Sequence, residues 1–365
     1  MTTVLQPKTT AELQQMVAAS SLLSVRGGGS KSALSAPPAG AVCVDLRGLS
    51  GIIEYVPDEY VFTAYAGTPL QQVVEELARH RQYLPFDPLL VRRGATLGGT
   101  VAANMSGSGR YRYGGVRDFI LGVRFVDGRG QLVRSGGKVV RNAAGFDLSK
   151  FFVGSLGRYG VLTEVSFKVF PRPHSTMTLA LTYPSLAAAL HAVFRLATVP
   201  LDIDALDLEP AEGKAFRLQL RVSGLESGLP DRLARLEALL QEEPPSLPQQ
   251  LLLGHHETSC WDAINNLSWV PHGAQLLKVP LPPRQVPELD ARIHWDARRY
   301  TAGGGLAWLA LHNVESARMV LTDLGLVALR VWGPGGDPFV GVRRGMGLAQ
   351  RVKRALDPSG RFGEA

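Results

Sequence analysis

The sequence predicts an α+β protein of two domains, and three observations carry that prediction. At 365 residues the chain is longer than one compact core usually serves. Pro171-Arg172-Pro173 makes a sharp break in the pattern. On both sides of the break, short β-branched and aromatic runs alternate with amphipathic helical stretches. The expected division is residues 1–172, residues 173–335, and a C-terminal segment, 336–365.

In the first domain, Thr9 to Ala19 reads as a helix with Thr10 as N-cap and Leu13, Met16 and Val17 on one face. Strands follow at Leu22–Arg26, Ala41–Leu46, Ile52–Val56 and Tyr60–Tyr65. Thr68 is placed to cap a helix reaching about His80, striped by Leu70, Val73, Val74 and Leu77. Phe119–Val126 and Gln131–Arg134 flank Asp127-Gly128, a hairpin signal. A short helix runs through Phe151, and Val161–Phe170 closes the domain as a strand. In the second domain, strands are expected at Thr176–Thr182, Ala205–Leu208, Phe216–Val222, Gln275–Val279 and Gly305–Leu311. Helices are expected at Ser185–Ala197, Asp231–Glu242, Ser259–Leu267 and Val314–Leu324. That arrangement suits an antiparallel sheet. The stretch from Gly341 to Leu356 is amphipathic and basic.

Composition excludes several classes. Net charge is +7, but the basic residues are dispersed, with no stripe or aromatic-interleaved patch, so no nucleic-acid partner is expected. A dispersed basic surface suits docking to an acidic partner protein. Cys43 and Cys260 lie far apart with no further metal-ligand spacing, so the chain is expected to hold no metal or iron–sulfur cluster and to keep reduced thiols in the cytoplasm. The first residues lack a signal-peptide pattern, and no apolar run is long enough to span a membrane.

Two glycine-rich stretches carry the chemistry. From Ala95 to Gly107, Gly98, Gly99, Ala102, Ala103, Ser106 and Gly107 have little or no side chain, so backbone amides can approach a ligand closely. Thr96, Thr100, Asn104 and Ser106 add short hydrogen-bonding groups. The composition describes a cradle for a large, flat, phosphorylated cofactor. Arg26-Gly27-Gly28-Gly29-Ser30-Lys31 is a second nest of amide donors, of a kind that can hold a pyrophosphate. It is not the dinucleotide GxGxxG fingerprint, because Ser32 stands at the third glycine position, and there is no Walker A motif.

A third block, Lys138 to Lys150, completes a pattern that resembles the FAD-binding domain of the vanillyl-alcohol oxidase/p-cresol methylhydroxylase (PCMH-type) family. The matching pieces are Arg26 to Ser30; Asp87-Pro88 with Ala95 to Asn104; and Asn142 to Leu148 with Gly154-Ser-Leu-Gly157 and Gly160 to Glu164. Within the family the chain looks most like the short FAD-binding subunits of multi-subunit glycolate oxidases (glycolate dehydrogenases). The resemblance implies two α/β subdomains clasping FAD, an antiparallel cap domain, and a C-terminal segment, marked by Asp357-Pro358-Ser-Gly, that returns to the FAD domain. It also implies that Gly27 to Ser30 wrap the pyrophosphate, with Arg26 entering. Thr96, Gly98, Gly99, Thr100, Asn104, Ser106 and Gly107 would line the pyrophosphate, ribityl and ring region beside Pro88. Tyr113, Gly114, Gly160, Val161 and Leu162 would complete the adenosine and flavin contacts.

Two departures shape the functional expectation. The first loop has Ser30 and Lys31 where covalently flavinylated relatives often carry histidine, and neither cysteine lies in a motif, so noncovalent FAD is expected. The His-x-Gly-Asp-Gly-Asn-x-His string of larger family members is absent from the cap. No catalytic base is identifiable; Tyr300, His312 and Arg330 read more simply as structural, and His255-His256 as a solvated loop pair rather than metal ligands. Arg217, Arg221 and Arg330 are cations available to a substrate carboxylate. The resemblance implies oxidation of a small 2-hydroxy acid, glycolate to glyoxylate, by a base and hydride transfer to flavin N5. Electrons would pass to an iron–sulfur subunit beside a larger FAD-binding catalytic subunit, in the cytoplasm or held at the inner face of the membrane by partners. The alternatives are an autonomous FAD-dependent oxidoreductase and a non-catalytic flavin-binding assembly subunit.

Overall fold

The computed structural model of the chain describes residues 3–137, 147–240 and 250–364. Most of the third glycine block therefore lies outside the described residues, as does the proline-rich stretch 241–249. The architecture is α+β, as the sequence predicts.

The N-terminal half carries two principal sheets. Val4–Leu5, Val42–Asp45 and Leu23–Arg26 form a small parallel sheet with Val42–Asp45 in the centre. The helix Thr10–Ala19 covers it with Leu13 and Val17, both fully buried, and each such side chain contributes about 1.5–3 kcal/mol by leaving water. Its N-cap is Thr9 rather than Thr10: the Thr9 hydroxyl accepts from the Glu12 amide at 3.1 Å. Five antiparallel strands form the second sheet, in the order Ile52–Val56, Val61–Tyr65, Val161–Lys168, Ile120–Val126, Leu132–Gly136. Asp127 closes the expected hairpin, its Oδ1 accepting from the amides of Arg129 and Gln131, both at 2.9 Å. Thr68 does not cap the next helix, which begins at Leu70 behind Pro69. Its hydroxyl donates to the Gly51 and Tyr65 carbonyls instead, bracing the preceding turn.

The remainder of the chain forms a nine-stranded antiparallel sheet. It is built from two βαββαβ units. The first runs Ser175–Tyr183, helix Leu186–Ala197, Ala205–Pro210, Phe216–Gly224, helix Leu229–Leu239, Gln250–Leu253. The second runs Gln275–Pro280, helix Val286–Arg292, Ala297–Thr301, Leu306–Leu311, helix Val314–Asp323, Val327–Trp332. Within each unit the spatial order is fourth–first–third–second, the arrangement of a split βαβ motif. The units meet edge to edge through their second strands, at Leu208 and Tyr300. Phe339–Gly341 adds a strand at the far edge.

Both faces of this sheet are covered, which explains its runs of unbroken hydrophobicity. All six residues of Leu306–Leu311 are buried. Ala307, Leu309 and Leu311 pack against the four helices, whereas Leu306, Trp308 and Ala310 share a core with the five-stranded sheet of the N-terminal half. Alternation would mark a strand with one wet face; two dry faces erase it.

The C-terminal helix Met346–Leu356 and the residues after it sit against the N-terminal half. The buried Asp357 carboxylate accepts from the Lys353 ammonium at 2.6 Å and from the amides of Arg361 and Phe362, both at 2.9 Å. Phe362 thereby joins the core of the small parallel sheet with Leu13 and Val44.

Candidate functional site

A cavity of about 610 Å³ opens where the small parallel sheet, the glycine-rich stretch from Thr96 to Ala103 and the C-terminal residues meet. This size falls within the roughly 300–1,000 Å³ range of small-molecule and cofactor sites. The strand Leu23–Arg26 delivers the first loop to its wall. Arg26 is fixed there by Asp45 at 3.1 Å, and Arg47 binds the same carboxylate at 2.7 Å. Burial alone would raise the Asp45 pKa, but the hydrogen bonds from Arg47 and Arg26 outweigh it and hold the carboxyl below its ordinary value.

The loop lies so close to the segment Gly94–Thr96 that side chains are excluded. A Cβ on Gly27 would stand 2.1 Å from Thr96 Oγ1, and one on Gly28 1.6 Å from the Gly94 carbonyl oxygen. Thr96 caps the short helix Leu97–Ala102, its hydroxyl accepting from the Gly99 amide at 3.3 Å. Residues 154–157 are pinned alongside, with the Gly154 and Leu156 amides donating to Val101 and Ala102.

Ten of the expected cofactor residues line this cavity: Arg26, Gly27, Gly28, Gly29, Ser30, Thr96, Gly98, Gly99, Gly160 and Leu162. The others do not; most have a visible local role, and the buried Thr100 hydroxyl has no hydrogen-bond partner among the described residues. Asn104 has φ +50° and its carbonyl accepts from the Lys278 ammonium. Ser106 Oγ accepts from the Val116 amide at 3.0 Å, and the Gly107 amide donates to the Phe86 and Asp87 carbonyls. Tyr113 donates to Asp204 at 3.2 Å, while Gly114 ends a helical turn at φ +84°. Thr100 is fully buried and Val161 packs in the core of the small sheet. Pro88 is half-buried beside Asp87, which accepts from the Gly109 amide and pairs with Arg221.

Several lining residues were not among the expected cofactor contacts. Lys31 is one, 7 % exposed at the end of the first loop. Ser155 has a buried hydroxyl with no hydrogen-bond partner among the described residues. Gly335, Asp337 and Arg343 arrive from beyond the second βαββαβ unit, and Phe362 from the C-terminal segment. Lys31 had a signal, a cation one residue beyond three glycines, whereas the distal residues are brought in by the fold alone.

The FAD-like demands meet a fitting site. Close-packed glycine backbone, an orphaned Ser155 hydroxyl and a buried Lys31 suit a ligand carrying anionic and hydrogen-bonding groups.

The interface between the N-terminal half and the nine-stranded sheet is of another character. Ser108 donates to Asp207 at 2.5 Å, Asp207 pairs with Arg299 at 3.5 Å, and Arg299 also contacts Glu209 and Gln219. Arg221 bridges Asp87 at 3.4 Å and Glu257 at 2.9 Å, and Arg112 holds Asp204 at 2.7 Å. Burial lifts the Asp207 pKa to about 6 despite Arg299. Of the expected substrate-binding cations, Arg217 pairs with Glu209 and Arg221 is held as above. Arg330 has a buried Nε without a hydrogen-bond partner among the described residues. Tyr300 donates to Asp290, and His312 pairs with Asp296 on the surface. His255 and His256 stand in the first turn of the helix Gly254–Asn265, not in a loop. Among the described residues no group of three His, Cys, Asp or Glu side chains is placed to hold a metal, and no helix is long and apolar enough to cross a membrane.

Comparison with known proteins places this geometry. Residues 1–136 match the family model described as FAD binding domain. Glycolate oxidase subunit GlcE of Escherichia coli is 40% identical over 195 residues, covering 53% of this chain and 55% of that one. Glycolate oxidase subunit GlcD of Bacillus subtilis is 28% identical, over 47% of this chain and 37% of its own length. A D-lactate dehydrogenase of Archaeoglobus fulgidus is 31% identical, over 47% and 38%. The chain thus spans about half the length of the first of these relatives, and less of the others. Among solved structures, an alkyldihydroxyacetonephosphate synthase superposes with a TM-score of 0.74 at 15% identity, covering 99% of this chain and 76% of that one. That likeness speaks for the fold alone.

Proposed function

We propose that this chain, whose N-terminal part is an FAD-binding domain of the PCMH type, is the FAD-binding subunit of a multi-subunit 2-hydroxyacid dehydrogenase acting on glycolate. The observation that carries the reading is the meeting of the Arg26–Ser30 loop, the Thr96–Gly99 segment and the Gly160–Leu162 segment on one cavity. Similarity to glycolate oxidase subunits and D-lactate dehydrogenases supports the substrate class. When bound, FAD supplies the redox chemistry. The chain's own residues provide amide donors from the first loop, the Thr96 and Ser155 hydroxyls, and the rigid wall against which the cofactor is oriented. The remaining expected contacts, from Pro88, Thr100, Asn104, Ser106, Gly107, Tyr113, Gly114 and Val161, act in this reading as the support behind that wall.

Dependence on partners has its own support. Arg221 and Arg299 are already bound to carboxylates of this chain, so a substrate carboxylate would have to displace an internal partner to use them. A larger FAD-binding subunit and an iron–sulfur subunit would supply the base and the electron outlet. The FAD is held noncovalently, since the first loop presents Ser30 and Lys31 to the cavity.

The test is to reconstitute the purified chain with FAD and follow reduction of an artificial electron acceptor with glycolate and with D-lactate. The expected outcome is little or no sustained turnover alone and activity on adding the partner subunits. Turnover of several per second by the chain alone would overturn the subunit reading in favour of an autonomous enzyme. Bleaching of the flavin without turnover would place the chemistry here and the missing electron outlet in a partner.

A further inference from the structure

Lys31 is a buried amine with no acidic partner among the described residues. It is 7 % exposed, and among the described residues its ammonium has one hydrogen bond, to the Ser30 hydroxyl at 3.1 Å. The charged side chains along the same cavity are Arg26, Arg158, Arg343, Asp337 and Glu364, and none of them is hydrogen-bonded to it. Arg26 is taken by Asp45, and Arg93 approaches only as far as the Trp332 ring, 4.8 Å away, whose Nε1 donates to the Ser30 carbonyl. The Lys31 ammonium instead faces the space in front of Gly99, where a Cβ would stand 3.8 Å from Nζ and 3.0 Å from Thr96 Oγ1. Of the other buried cations, Arg298, Arg299 and Lys353 have carboxylates, and Lys278 donates to the Asn104 carbonyl. Lysine buried without one is a costly arrangement unless an anion completes it.

We propose that Lys31 is the counter-ion of an anionic group of the bound cofactor, and that the chain takes up a proton at this side chain as the cofactor binds. The proposal rests on the FAD reading and deepens it, since FAD brings the pyrophosphate that would sit against the ammonium. Burial alone lowers the Lys31 pKa to about 8 in the free chain. A phosphate oxygen beside the amine raises it again, so the complex binds more protons than the free chain above that pH. Binding must then weaken as pH rises through 8, by at most about tenfold per pH unit for one proton. Lys31 is a positioning residue in this scheme, with no part in the redox step.

FAD affinity of the full chain, measured by flavin fluorescence from pH 6.5 to 9, is the readout, together with proton uptake from calorimetric titrations in buffers of different ionisation heat. Wild type is expected to bind with constant affinity up to about pH 7.5, then progressively more weakly, with uptake rising from near zero toward about one proton as the free amine deprotonates. Lys31→Arg, charged throughout, should bind FAD across the whole range without uptake. Lys31→Met should bind roughly 10- to 100-fold more weakly at pH 7, the scale of one charge-assisted hydrogen bond, with a flat pH profile. Wild-type uptake no greater than that of Lys31→Arg, or undiminished affinity in Lys31→Met, would overturn the assignment while leaving the FAD reading intact. Failure of wild type to bind FAD at any of these pH values would overturn both.

Discussion

Two polar regions of this molecule use the same residue types to opposite ends. At the seam between the N-terminal half and the nine-stranded sheet, Asp207 and Glu209 pair with Arg299, and Asp87 and Glu257 pair with Arg221. In the cavity wall, Lys31 has no carboxylate and the Ser155 hydroxyl has no partner among the described residues. Since a buried polar group without a partner costs free energy, an unpaired cation and an orphaned hydroxyl around an open space point to a ligand, and cations paired to internal carboxylates point to structure. Perturbed pKa values do not by themselves tell the two apart. Asp207 and Lys31 are both displaced from their ordinary values by burial, yet only Lys31 faces room for a partner.

The sharpest way to break the contrast is to strip a partner from the seam. Asp207→Ala leaves Arg299 buried with a weakened set of acceptors. It should destabilise the fold by about 3–5 kcal/mol, read by denaturant titration, while the surviving folded chain keeps its FAD affinity. A loss of FAD affinity without a loss of stability would show that the seam belongs to the binding site.

Gly99→Asp makes the converse change. Its carboxylate would stand beside Lys31, giving that ammonium an internal partner and filling the space left for an anion. FAD affinity should fall about 100-fold or more, with little change in thermal midpoint, because both repulsion and exclusion act on the ligand. A variant with full flavin content would show that this wall is not the cradle.

Lys278 refines the comparison, being buried like Lys31 but directed at the Asn104 carbonyl rather than at open space. Burial, assisted by Arg110, lowers its pKa to about 7. The native state then binds fewer protons than the unfolded chain between pH 7 and the ordinary lysine value near 10.4, so this group adds stability as pH rises through that window. Lys278→Met removes the dependence. Its stability relative to wild type should be greatest below pH 7, by on the order of 1–2 kcal/mol, and should shrink toward pH 9. Thermal melts across that range check the sign; a wild-type advantage at pH 6 would contradict it.

Much of this was readable in the sequence, and the failures have physical causes. Two of the three strands of the small sheet, the five-stranded sheet and the Asp127 hairpin follow from β-branched runs and turn chemistry, whereas the short strand Val4–Leu5 was not expected. The strands Ala297–Thr301 and Val327–Trp332 escaped because they are joined by tertiary pairing to Leu306–Leu311 and Gln275–Pro280, and neither shows clean alternation. The doubled βαββαβ pattern escaped for a similar reason, since its two copies share pairing order but no residue string. Within the site, glycine spacing marked the loop and the Thr96–Gly99 wall, where close backbone contact demands small residues. It marked equally well Ser106 and Gly107, whose hydrogen bonds go to Val116, Phe86 and Asp87. A glycine-rich string reports tight packing of backbone; which side of it meets a ligand is set by the fold.

The cradle itself is tested most directly by the protein's colour. The chain is purified alone, its visible absorption recorded, and the protein then precipitated with acid. The expected result is a yellow protein carrying one FAD per chain, all of it released into the supernatant. Flavin retained in the pellet would contradict noncovalent binding. A colourless, correctly folded chain that ignores added FAD would contradict the cradle altogether.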